Sequence, residues 1–146
     1  MNKTVILSVI TLLLLSLSFA SAEVIVFDKY DTQTVLKDGK LVVTKDLRLR
    51  NVGPNPIIPG EVHFKLSQEG KDGLEAPDVE HFSVVDKFGK VLDTREFVTD
   101  EEVDLVFTVW DPLLPNFVYE MTMTYEIPFK AKGILFYHLL LPEERT

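Results

Sequence analysis

The chain has no cysteine, one tryptophan and three histidines in 146 residues. Without cysteine there can be no disulfide, no thiolate zinc site, no iron–sulfur cluster and no thiol nucleophile. The fold must stand on its apolar core alone, which a chain of this length can supply. Cations are also scarce. Fifteen Lys and Arg against 23 Asp and Glu give a formal charge of −8. That balance argues against binding a phosphate backbone, which needs clustered Lys and Arg, and reads as solubility and self-repulsion. After residue 22 no stretch of twelve or more residues carries a 3.6-residue apolar stripe. The G-x-S-x-G, S-x-x-K, P-loop, G-x-G-x-x-G and H-E-x-x-H patterns are all missing, and Ser67 and Ser83 have no triad signature around them. Internal repeats and low-complexity tracts are absent too.

What is present begins with an export signal. Lys3 precedes an almost wholly apolar run, Val5 to Ala20, and Ala20-Ser21-Ala22 places small residues where signal peptidase reads them. Residues 1–22 are therefore read as a signal helix and residues 23–146 as one domain. The alternative is an uncleaved anchor, since the run approaches the roughly 20 residues that span a bilayer. Removing Lys3 moves the formal charge from −8 to −9. The only N-x-S/T match, Asn2-Lys3-Thr4, lies inside the signal. Exported, cysteine-free and sequon-free together point to an archaeal or bacterial source, and to a secreted or cell-surface location.

The rest reads as strands. Phe117 to Pro128 alternates Phe117, Tyr119, Met121, Met123, Tyr125 and Ile127 with Val118, Glu120, Thr122, Thr124 and Glu126. Period two marks a strand with one buried and one wet face, and this one is expected at the centre of a sheet. Glu23 to Tyr30, continuing irregularly to Leu36, is a first strand. Asp38-Gly39 is a hairpin signal, because a type I′ turn needs positive φ at both central positions. Leu41 to Asn51 returns, with Leu47 and Leu49 inward. Asn51 to Gly60 holds three prolines and two glycines and must be a loop. Glu61 to Ser67 alternates again. Gln68 to Asp78 is expected as a mobile loop, and Val79–Val85 with Lys90–Val98 as a second hairpin around Asp86-Lys87-Phe88-Gly89. Val103, Leu105, Phe107 and Val109 face inward against Asp104, Val106, Thr108 and Trp110. Gly133 to Leu141, apolar on both faces, is a last strand needing cover on both sides. The sum is an all-β, antiparallel, immunoglobulin-like β-sandwich of about seven to nine strands.

Candidate chemistry is thin. His63 and His81 are expected outward and His138 on an apolar strand, with no metal-ligand spacing among them. Thr99 to Asp104 is the densest acidic cluster. It offers calcium loop carboxylates but lacks the D-x-D-x-D-G pattern, so no cofactor is expected. Glu120 and Glu126 are six residues apart, near 20 Å at about 3.3 Å per residue, too far to work as a glycosidase pair. Trp110 is either a cap on the end of the core or an exposed stacking platform. Pro56, Ile57, Ile58 and Pro59 are either core cover or a contact patch. Tyr137 and Leu139, on the last strand, complete the candidate partner contacts, since an apolar edge can add to another chain or self-associate.

Three features carry a family resemblance. Leu47-Arg-Leu-Arg-Asn-Val-Gly-Pro-Asn-Pro-Ile resembles the strand and x-N-x-G turn of CARDB-type extracellular immunoglobulin-like domains. Asp111-Pro112 to Phe117 resembles their proline turn and following strand, and the export signal suits their location. A fainter similarity is to the luminal domain of ribophorin I. The usual glycine of the proline turn is replaced by Leu113-Leu114-Pro115-Asn116. The resemblance implies a non-catalytic adhesion or assembly module without site residues. Three roles follow as expectations: an exported binding or structural module with a protein or cell-surface partner, a small secreted carbohydrate-active enzyme, or a membrane-anchored accessory subunit of an envelope complex.

Overall fold

In the computed structural model residues 24–128 are described. The signal segment, Gly133 to Leu141, Tyr137, His138 and Leu139 lie outside them. Nine antiparallel strands run in order: β1 (Ile25–Lys37), β2 (Lys40–Asn51), β3 (Gly60–Leu66), β4 (Gln68–Gly70), β5 (Gly73–Glu75), β6 (Glu80–Asp86), β7 (Asp93–Val98), β8 (Val103–Val109) and β9 (Val118–Pro128). One sheet has the order β1-β2-β9-β6 and a second the order β3-β8-β7, while β4 and β5 form a small separate hairpin. Side chains from both large sheets merge into one core, so the layers stack face to face.

The β1–β2 hairpin turns at Asp38 and Gly39, with φ of 51° and 73°, as the Asp-Gly signal requires. Opposite Arg48 the register of β1 slips, and Asp28 is the bulged residue. The bulge inverts the parity of the strand. Phe27 pairs with Leu49 and Tyr30 with Leu47, so both rings face inward although three residues separate them. Phe64 and Phe107 meet them from the other sheet, with ring centroids 5.9 to 6.2 Å apart through the set. On the outer face, Asp28 accepts hydrogen bonds from Arg48 Nε at 2.6 Å and Arg50 Nε at 2.5 Å. Those guanidinium contacts, Arg48 foremost, hold its carboxyl below the usual range.

β9 is central, between β2 and β6, and its inward Met121, Met123, Tyr125 and Ile127 are all buried. Three expectations need revision. The hairpin of Val79–Val85 with Lys90–Val98 closes only around its turn, where Val85 and Val91 form an antiparallel bridge and the amides of Asp86 and Leu92 donate to the carbonyls of Lys90 and Val84. Beyond it β6 pairs with β9 and β7 with β8, so the chain passes from one layer to the other between Leu92 and β7. Gln68 to Asp78 contains the β4–β5 hairpin rather than a structureless loop. Val106 and Thr108 are buried too, because β8 is the middle strand of its sheet and Val106 lies between His63 and Arg95, whose long side chains cover it. Counting only the seven long strands, the seventh sits between the second and fourth, where the constant-type immunoglobulin order places its fifth.

The connections sort by end. The loops 51–60, 86–93 and 109–118, with the entry to β1, lie at one end, called here the Asn51 end. The β1–β2 turn, the β4–β5 hairpin, the Thr99–Glu102 turn and the exit of β9 lie at the other.

Candidate functional site

The Asn51 end is built on one buried amide. Asn51 is fully buried, at 0% exposure. Its Nδ2 donates to the carbonyl oxygens of Asn55 and Leu113, both at 2.8 Å, and its Oδ1 accepts from the Gly53 amide at 2.9 Å. Its backbone carbonyl accepts from the Asn116 amide at 2.8 Å, and its own amide donates to the Phe117 carbonyl. One side chain thus bonds three backbone groups and ties two irregular loops together. A Cβ on Gly53 would come within 2.9 Å of a Val24 methyl, so a side chain here would displace Val24. Ile57 and Leu113 exchange both backbone hydrogen bonds, and the Val52 amide donates to the Val24 carbonyl. The 86–93 loop is tied in from the side. Asp86 accepts from the amides of Phe88 and Lys90, and Lys90 Nζ reaches Asp111 at 2.9 Å.

These fixed loops point apolar side chains outward. Val52 and Ile58 project from the first, Phe88 and Val91 from the second, Trp110, Leu114 and Phe117 from the third, and Val24 from the entry strand. They are eight of the thirteen large apolar side chains exposed among the described residues, with Phe88 at 83%, Trp110 at 64% and Phe117 at 60%. No charged residue lies between Asn51 and Gly60, in a chain of net charge −8. Such a concentration of exposed apolar groups on hydrogen-bonded loops makes this end the candidate interaction face.

The Pro56–Pro59 segment is divided between the core and the surface. Ile57 is half-buried and pairs with Leu113, whereas Pro56 and Ile58 are exposed. Trp110 stands outside the core rather than capping it. Phe117, expected inward at the start of the central strand, is exposed. Asn116 takes a left-handed φ of 63°, and the Phe117 amide turns back to Leu114, so β9 begins one residue later and nothing overlies the ring. Asn51, Leu114 and Phe88 were missed as site residues. The Asn-x-Gly-Pro spacing was the available signal for Asn51, since an Asx side chain bonds the amide two residues on.

Behind the patch, Tyr119 directs its hydroxyl to Asp86 at 3.1 Å and Asp111 at 3.3 Å. Burial, then Asp86, pushes that phenol well above its usual range. Burial would raise Asp86, but the amides of Lys90 and Phe88 with the Tyr119 hydroxyl prevail and hold it ionised.

The opposite end is charged. Lys40 Nζ lies 2.7 Å from Glu80 and 3.1 Å from Glu126, and His81 Nδ1 lies 3.0 Å from the same Glu126 oxygen. Glu80, His81 and Glu126 bring three ligand atoms within 4.8 Å of one another, the metal-competent grouping among the described residues. The Lys40 ammonium already bridges its two carboxylates. Glu126 is held below the ordinary carboxylate range by His81 first and Lys40 second. In the Thr99–Asp104 cluster, Glu102 faces Lys65 at 2.8 Å and Asp104 faces His63 at 2.8 Å, so these two carboxylates do not converge on a common point.

A third polar feature is buried between the sheets. Lys45 is 1% exposed on the inner face of β2, and its Nζ donates to Tyr30 Oη and Thr32 Oγ1, both at 3.2 Å. The Tyr30 ring lies beneath it at 4.9 Å. Burial pushes the amine down to about 8.

No protein-family model, no curated protein and no solved structure matches this chain.

Proposed function

We propose that this chain is an exported, non-catalytic binding module of the cell surface, an immunoglobulin-like sandwich with its own strand order, and that the Asn51 end is its contact face. The observation that carries the reading is the gathering of Trp110, Phe117, Phe88, Leu114 and Ile58 on hydrogen-bonded loops at one end. Aromatic anchors on a pinned scaffold lose little side-chain entropy on binding. Export follows from the leader sequence, and the acidic remainder of the surface keeps the module soluble. The test is retention on isolated cell envelopes. The wild-type chain is expected to be retained, and an Ile58→Ser/Trp110→Ser variant to be lost while its melting temperature stays in place. Equal retention of both rejects the assignment of the face.

One observation favours a second reading, a carbohydrate-active enzyme. Asp86 and Asp111 share the Tyr119 hydroxyl, which puts two carboxylates beside Trp110 within the roughly 5–10 Å that glycosidases use. Against it, a general acid needs a raised pKa, whereas Asp86 is lowered and Asp111 is ion-paired to Lys90. Two shallow concavities, one at Pro77 to Glu80 beside Glu96 and Val98 and one over Asp46, Lys87 and Glu120, lie away from Trp110. Polysaccharide hydrolysis that disappears in Asp111→Asn would establish the enzyme.

A further inference from the structure

We propose that the Asn51 end is seated on a lipid bilayer, with Trp110, Phe117, Leu114 and Ile58 entering its interfacial layer. The inference rests on the reading of this end as the contact face and names what it contacts. Three observations select lipid over a protein surface. The first is the path of the chain. The apolar run Val5–Ala20 precedes Val24, which is fixed in the patch by the Val52 amide, so a chain that keeps this run as its anchor enters the domain at this end. Pro128, the last described residue, pairs with Lys40 at the opposite end.

The second is composition. The exposed groups are aromatic and aliphatic, the mixture that settles at headgroup depth, and they come from loops whose backbone polar groups are already engaged by Asn51 and by each other. An interfacial layer can accept such loops without stranding amides and carbonyls. The third is charge. An acidic body is repelled by anionic headgroups, but the loop 51–60 is uncharged, and in the other two loops of this end Asp86, Asp93 and Asp111 stand against Lys87 and Lys90, with Asp111 paired to Lys90, so this end carries little excess negative charge and is the one that can approach. Among the described residues no helix is long and apolar enough to cross a membrane, and the contact proposed is peripheral.

Trp110 is the only tryptophan in the chain and lies inside the proposed contact, so its emission reports the contact directly. The full chain is reconstituted into protein-free vesicles of zwitterionic lipid with a minor anionic fraction. Lipids brominated along the acyl chain are expected to quench Trp110 strongly, and aqueous iodide to quench it several-fold less than in solution. A Trp110→Phe/Leu36→Trp variant moves the probe to the other end and is expected to keep full iodide quenching. That control separates seating of this end from anchoring through Val5–Ala20, which both proteins share. Phe117→Ser is expected to lower bromolipid quenching. If Trp110 stays open to iodide on vesicles while envelope retention still depends on the patch, the lipid inference fails and a protein partner takes its place. If retention is also indifferent to the patch, the contact-face reading fails with it.

Discussion

The two ends of this sandwich are made by the same strands and have opposite chemistry. At the Asn51 end one buried amide anchors two loops, the loop 51–60 carries no charge, and large apolar groups face outward. At the Lys40 end the polar groups are side chains rather than backbone, and Lys40, Glu80, His81 and Glu126 meet in solvent. The contrast separates two ways of finishing a β-sandwich. Charged turns can leave their side chains paired in solvent. Loops tied to the core by a buried side chain hold their shape, and so can keep apolar groups exposed and aimed.

The largest expected effect is at the anchor. Asn51→Ala removes the side-chain partner of the Asn55 carbonyl and the Gly53 amide, leaves the Leu113 carbonyl with the Ile57 amide alone, and should cost about 2–4 kcal/mol in urea unfolding. A variant that unfolds like wild type would show that the loops do not depend on it.

Next is the buried cation between the ends. Lys45→Met should stabilise the fold by about 1–3 kcal/mol at neutral pH, because an ammonium without a carboxylate partner is replaced by a thioether of similar length. The sign of the pH dependence follows. Between about pH 8 and 10.5 the unfolded chain keeps the proton that the folded chain has lost, so wild-type stability should rise with pH from about 8. The rise ends near pH 10, where Tyr30 and Tyr119, held protonated in the fold, begin to favour unfolding. Lys45→Met should lack the rise, and a parallel pair of curves would contradict the assignment.

Smaller still is the charged end. Lys40→Ala should shift the melting temperature only slightly, and the difference should vanish at high salt. Glu126 is ionised more easily in the fold, so its contribution is present above the ordinary carboxylate pKa of 4.5 and is lost as pH falls through the lower folded value. Wild type and Lys40→Ala should therefore converge in acid. The smallest stability effect belongs to the patch. Phe117→Ser should leave unfolding within about 0.5 kcal/mol of wild type, since its ring covers nothing in the core.

The strands were legible because their chemistry is local. Asp38-Gly39 states its turn outright, and the alternation of Met121, Met123, Tyr125 and Ile127 states its buried face. Lys45 shares parity with Leu47, so its burial could have been read, but a lysine in a core register looks like an exception until its hydroxyl partners are located. The β6–β7 layer change was not legible, because a tight Asp86–Gly89 turn suits a hairpin equally well and β9, about 40 residues later, takes the pairing. The site was half legible. Ile58 and Trp110 stand out in sequence, whereas Phe117 continues the inward parity of β9 and is exposed because the turn at Asn116 starts the strand one residue later. Distant backbone carbonyls, such as that of Leu113 under Asn51, have no sequence signature.

The most direct measurement places the same charge at each end in turn. Phe117 and Val35 are both exposed, at 60% and 57%, and stand at opposite ends. Envelope retention of Phe117→Glu and Val35→Glu, with folding checked by melting temperature, compares the ends on equal terms. The account predicts that Phe117→Glu is released and Val35→Glu is retained like wild type. Retention of Phe117→Glu, or release of both alike, would contradict it.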